Sequence, residues 1–171
     1  MSPRAARRLL ILGAGGHGRA VADLARACGF TVAGFTERSS SAGGPGSPVL
    51  GTDAELAALI RPQRIDGGVV GVGNTALLRR AQLYDVLVAA GVAQPPLVHP
   101  RAAASVSAEV GSGSVVFAGS VLGSGARIGV NAVELYGLRE LMVLRDLKRI
   151  AAYEQEWNRL HGVTAPAAPS A

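Results

Sequence analysis

The sequence predicts an α/β chain in three parts. A parallel sheet covered by helices occupies 1–100, and a short coil of six-residue repeats occupies 101–133. An amphipathic helix follows over 134–162, with a disordered tail over 163–171. Three observations predict this. Short apolar runs alternate with helical stripes along the first hundred residues. From residue 104 the apolar period becomes six. From residue 134 the spacing is helical and densely charged.

Each element has its own signal. Residues 8–12 (RLLIL) are an apolar run ending in glycines, as a buried parallel strand would be. Residues 16–28 carry a helical stripe, and Gly29 suits the stop. Residues 31–36 (TVAGFT) read as a second strand, and 37–48 (ERSSSAGGPGSP) as a loop. Thr52-Asp53-Ala54-Glu55 is a capping box before a short helix. Residues 67–72 (GGVVGV) read as a third strand. Asn74 can cap the next helix, whose apolar stripe is Leu77, Leu78, Ala81, Tyr84, Leu87 and Val88, ending at Gly91. Residues 94–98 read as the last strand of the sheet.

The repeat region is more regular. Ala104, Val110, Val116, Leu122 and Ile128 are spaced by six without a slip. Four residues after each stands a small one: Ala108, Ser114, Ser120, Ala126 and Ala132. Neither a helix nor a plain strand has this period. A parallel β-helix does, with the aliphatic residue turned inward.

Composition excludes several classes. With 49% hydrophobic and 17% charged residues the chain is not wholly disordered. The net charge of +5 is carried almost entirely by arginine, without interleaved aromatics or a reading helix, so no nucleic-acid partner is expected. No apolar run reaches the roughly 18–20 residues of a membrane span. Residues 1–16 imitate a signal peptide, but their apolar run is too short, which points to a cytoplasmic protein. Cys28 is the single cysteine, so no intrachain disulfide and no metal site is expected.

The candidate site is glycine-rich. Gly13-Ala14-Gly15-Gly16-His17-Gly18 follows the first strand, opens the first helix and fits G-x-G-x-x-G. Such glycines let backbone N–H groups approach a phosphate at a helix N-terminus. Glu37 lies 19 residues beyond Gly18, where a carboxylate can take a ribose hydroxyl. This pattern equally suits a nicotinamide dinucleotide, and an NAD(P)-dependent oxidoreductase is one alternative.

The GAGGHGR turn, the GVGN turn at 71–74, the VHP at 98–100 and the following hexapeptides together resemble the sugar O-/N-acyltransferase family. Sialic-acid O-acetyltransferases and bacillosamine N-acetyltransferases are members. The resemblance implies a Rossmann-like domain that binds a nucleotide-activated sugar, joined to a left-handed parallel β-helix, in a homotrimer that uses acetyl-CoA. It implies that Gly13, Gly15, Gly16, His17 and Gly18 contact the nucleotide sugar, with Glu37, Gly73 and Asn74 in the same cleft and Arg79 near the diphosphate.

One departure bears on activity. The family's general base is a histidine in a later repeat. The three histidines here are at 17, 99 and 161, none in a hexapeptide. Where the family's V-D-H-D-like segment should follow Asn131-Ala132-Val133, the chain reads Glu134-Leu135-Tyr136, and the repeat domain looks truncated. No catalytic residue is therefore assigned. The expected function is acetyl transfer to the amine or hydroxyl of a nucleotide sugar, in an impaired form. The other alternative is a non-catalytic nucleotide-sugar-binding module.

Overall fold

The computed structural model describes residues 7–38 and 48–134. All belong to one compact unit, Met1–Tyr136. Its elements are β1 (Arg8–Leu12), α1 (Gly16–Ala27), β2 (Thr31–Glu37), β3 (Val49–Thr52), α2 (Leu56–Ile60), β4 (Gly67–Val70) and α3 (Leu77–Ala89). Six-residue steps then carry β5 (Leu97–Val98), β6 (Ala103–Ala104), β7 (Glu109–Val110), β8 (Val115–Val116), β9 (Val121–Leu122), β10 (Arg127–Ile128) and β11 (Val133–Glu134).

The first four strands form one parallel sheet in the order β3-β2-β1-β4. β1 is central and its pleat is apolar on both sides. Leu9 and Ile11 enter a cluster with Val21, Leu24 and Ala25 of α1. Leu10 and Leu12 enter another with Leu56 of α2 and Leu83 and Leu87 of α3. Helices therefore cover both faces, as the continuous apolar run requires. The four β1 residues from Leu9 to Leu12 are fully buried. Each contributes roughly 1.5–3 kcal/mol of hydrophobic stabilisation.

Glycines end the two long helices. Gly29 (φ +82°) follows α1, with Gly29 N–H donating to Arg26 O at 3.0 Å and Phe30 N–H to Ala25 O at 3.0 Å. Gly91 (φ +64°) follows α3 with the same pair of bonds, to Val88 O and Leu87 O. Both positions are left-handed, where a Cβ is penalised.

Three sequence expectations change. β3 was not anticipated; its four residues are only half-buried and follow a stretch of turn formers. Leu97–Val98 does not join the sheet. It pairs with β8, which makes Val98 the first member of the six-residue series. The α3 stripe is also rotated: Leu78 and Val88 are more than half exposed, and the buried residues are Arg80, Leu83 and Leu87.

In the repeat region each strand pairs in parallel with one eighteen residues away. Leu97 is opposite Val115, Ala103 opposite Val121, Glu109 opposite Arg127, and Val115 opposite Val133. Three strands thus make one turn of a ladder. Its bends fall at Gly113, Gly119, Gly125 and Asn131, all with positive φ and spaced by six. The β5-β8-β11 side is buried on the sheet: Leu97, Val115, Phe117 and Val133 join the cluster around Leu9 and Ile11. Of the inward aliphatics, Val116 and Leu122 are buried, Val110 and Ile128 half-buried, and Ala104 exposed. The helix expected over 134–162, apart from residue 134, and the tail over 163–171 lie outside the described residues.

Candidate functional site

The strand order reverses direction between β1 and β4, and ligands of such sheets bind beyond the carboxyl ends at that point. Two glycine turns meet there. Gly13 (φ +108°) donates its N–H to Thr36 O at 2.9 Å. A Cβ on Gly18 would stand 1.9 Å from Gly13 O, and one on Gly71 would stand 2.6 Å from that oxygen and 2.8 Å from Gly18 Cα. Three backbone segments are packed too closely for side chains. Gly15 and Gly16 differ. No atom lies within 4 Å of a Cβ at Gly15, and at Gly16 only the end of the Arg19 side chain does. Their backbone faces open space at the start of α1, where the first N–H groups have no intrahelical acceptor and no side chain caps them.

The sequence-predicted residues gather at this place to different degrees. Glu37 Oε1 accepts the Ala14 N–H at 2.7 Å, so its carboxylate holds the glycine turn. Gly73 lies under the His17 ring, with Cγ 3.4 Å from a Cβ at that glycine. Asn74 is exposed, and Gly73 rather than Asn74 takes the N-cap position of the 3-10 turn at Asn74–Ala76. Arg79 is ion-paired with Asp53, whose Oδ1 accepts the Thr36 hydroxyl at 2.5 Å. This pair lines an open groove of about 630 Å³ between α2 and α3, together with Arg38, Leu56 and Val86.

Among the described residues His17 is the titratable group moved furthest from its ordinary pKa. Burial first, and the Arg80 charge second, lower its pKa to about 4. The ring is neutral near pH 7. Its Nε2 is buried without a hydrogen-bond partner among the described residues, and Phe117 stands edge-on at 6.0 Å between centroids. A neutral imidazole offers a donor or an acceptor, but no positive charge. His99 Nδ1 accepts the Arg101 N–H at 2.9 Å, and His161 lies outside the described residues. Cys28 donates to Val98 O at 3.2 Å, and burial raises its thiol pKa.

Sequence reasoning missed Asp53, Phe117 and Arg80. Arg80 is 3% exposed. The spacing of Arg80, Leu83 and Leu87, at three and then four residues, carried the signal; choosing Leu78 and Val88 as the stripe hid it.

Residues 8–87 match the family model of the PglD N-terminal domain. The α/β part of this chain is similar to that domain. The perosamine N-acetyltransferase of Caulobacter crescentus is similar to this chain. Its structure, a histidine-to-asparagine variant with CoA and GDP-perosamine, is 32% identical with a TM-score of 0.68, covering 75% of this chain and 60% of that one. The acetyltransferase domain of PglB from Neisseria gonorrhoeae FA1090, in complex with acetyl coenzyme A, is 35% identical with a TM-score of 0.62. The match covers 75% of this chain and 62% of that one. The chain thus spans about three fifths of the length of these relatives. No curated protein matches the chain. The matched part of this chain has its two glycine turns at the strand-order reversal, with the six-residue ladder against the same face of the sheet as α1. Among the described residues no helix is long and apolar enough to cross a membrane.

Proposed function

We propose that the cleft between the two glycine turns binds a nucleotide-activated sugar, and that the chain serves acetyl transfer from acetyl-CoA to an amine or hydroxyl of that sugar. The observation that carries this reading is the open backbone at Gly15 and Gly16, at the N-terminus of α1 and at the strand-order reversal. Unpaired N–H groups and the helix dipole favour a diphosphate there. The relatives held with CoA, acetyl-CoA and GDP-perosamine support it.

In this reading Gly13, Gly15, Gly16 and Gly18 form the turn that receives the diphosphate. Glu37 keeps one oxygen on Ala14 N–H and turns the other to a ribose hydroxyl. Arg79 reaches the diphosphate from its Asp53 partner, and Gly73 and Asn74 border the cleft. His17, neutral, offers a hydrogen bond and keeps water from the space between Gly73 and Phe117. With a pKa of about 4 it is a weak proton acceptor at pH 7, so no general base is assigned to it.

Acetyl-CoA would supply the thioester. The groove beside Arg79 and the cavity of about 200 Å³ beside Arg7 and Phe30 both belong to the α/β part, and no residue is assigned to holding the thioester. No step is derived through it.

The ladder is read as the opening turns of a left-handed β-helix that builds a homotrimer of a cytoplasmic enzyme. Residues 1–96 are read as the nucleotide-sugar part and 97–134 as the repeats; the closing helix expected after them lies outside the described residues. A second reading, a binding module without transfer, is favoured by the lack of any histidine between 100 and 160. Calorimetry against UDP-, GDP- and CMP-sugars, NADH, NADPH and acetyl-CoA tests both. Nucleotide-sugar and acetyl-CoA binding supports the transferase. Nucleotide-sugar binding alone supports the module, and NADH or NADPH binding alone overturns both in favour of an oxidoreductase.

A further inference from the structure

We propose that Arg80 is the positioning residue of this cleft: one guanidinium ties the turn after β4 and the Asn131 bend of the ladder to α3, and so sets the gap between His17, Gly73 and Phe117. The inference rests on the proposed ligand only for its binding readout.

Four contacts define the tie. Arg80 Nη1 donates to Val72 O at 2.6 Å and to Val70 O at 3.2 Å, and Nε donates to Asn131 O at 2.8 Å. Asn131 Nδ2 returns a bond to Arg80 O at 3.3 Å. Val70 and Val72 flank Gly71, which packs on Gly13 O, and Val72 precedes Gly73, which underlies His17. One helical turn on, Tyr84 Cε2 stands 3.0 Å from a Cβ placed on Gly113, the bend eighteen residues before Asn131. The α3 edge therefore runs along two stacked bends, and Arg80 is its polar contact. Three carbonyls in different directions suit a planar fork with five donors and do not suit a single ammonium.

Removing the guanidinium leaves the carbonyls of Val70, Val72 and Asn131 without this donor, and an ammonium cannot reach all three. Met is the shape-matched substitution. Arg80→Met and Arg80→Lys are compared with the wild type and with the exposed control Arg127→Ala. Three properties are measured: nucleotide-sugar affinity by calorimetry, the His17 imidazole resonance by NMR, and amide exchange at Gly71, Gly73, Asn131 and Ala132. Both Arg80 variants are expected to weaken binding by between about twofold and thirtyfold, to shift the His17 resonance and to speed exchange at both clusters. Arg127→Ala should do none of these.

A folded Arg80→Met with unchanged affinity and exchange overturns the proposal. If Arg80→Met does not fold, Arg80→Lys decides by the same criteria. If the wild type binds no nucleotide sugar, the ligand reading fails separately, and unchanged exchange in the variants alone overturns the tie.

Discussion

Gly18→Ala isolates the backbone packing under the candidate cleft. The added carbon would stand 1.9 Å from Gly13 O, whereas real Cβ atoms keep about 3.0 Å, so roughly 1.1 Å of movement is required. Gly13 cannot easily give way. Its N–H is bonded to Thr36 O at 2.9 Å, and Gly71 crowds its carbonyl from the other strand. Alanine gains about 1 kcal/mol of helix propensity over glycine. Against this stand about 3 kcal/mol of overpacking, the upper part of the usual range because the obstacle is backbone. A weakened Gly13–Thr36 bond adds about 1 kcal/mol. The net loss is about 3 kcal/mol, which for a chain of this size lowers Tm by about 6–12 °C. Gly15→Ala is the comparison. Its φ of −65° and ψ of −174° suit any residue and nothing lies within 4 Å of the new carbon, so Tm should stay within about 1 °C. That methyl would cover the open amides and weaken nucleotide-sugar binding. Thermal melting and calorimetry of the two variants separate the effects. A Gly18→Ala protein melting within 2 °C of wild type, by the ~1 kcal/mol this would represent, refutes the packing argument.

Three further outcomes follow from the same geometry. His17 has a folded pKa of about 4 against an ordinary 6.5, so the unfolded chain binds the extra proton first. Its contribution to stability is therefore complete above the unfolded value and is lost as pH falls toward 4; urea midpoints across this window should show a shallower decline in His17→Gln. Glu37→Gln should keep the Ala14 N–H acceptor and melt nearly as wild type, whereas Glu37→Ala should cost about 1–3 kcal/mol in urea unfolding. Gly125→Ala and Gly113→Ala should both lose about 1–2 kcal/mol to the left-handed backbone. Gly113→Ala should lose more, because Tyr84 lies 3.0 Å from its new carbon while Gly125 has open space. Equal melting of these two variants would contradict the Tyr84 contact.

How much was legible depended on whether a signal was local. β1 is named by its bounds in the sequence because four apolar residues after Arg8 end at Gly13, and both long helices stop at glycines that supply a left-handed φ. The six-residue period was legible because steric need repeats it. Its left-handed bends at 113, 119, 125 and 131 were also written there, as Gly, Gly, Gly and Asn. Partner choice was not legible. Leu97–Val98 looks like any short apolar strand, and only the register with Val115 assigns it to the ladder. For the site, the glycine turn was read from its spacing. Arg79 and Arg80 are identical neighbours in the text, yet one is paired in the lining of a groove and the other is buried against three carbonyls. That difference lies in helix phase, which a single wrong stripe residue is enough to rotate.

The outward residues of β5, β8 and β11 (Leu97, Val115 and Val133) share the core under β1. During synthesis, Leu97 leaves the ribosome well before Ser114, whose carbonyl accepts its N–H at 2.8 Å, and before Val115, its register partner. The part of that sheet face which the ladder covers is thus open until another eighteen or so residues have emerged, by the spacing of the strand pairs. Chaperone capture and nascent-chain proteolysis should both be concentrated in that interval, and a chain stopped near residue 100 should be sticky although its α/β elements are all present.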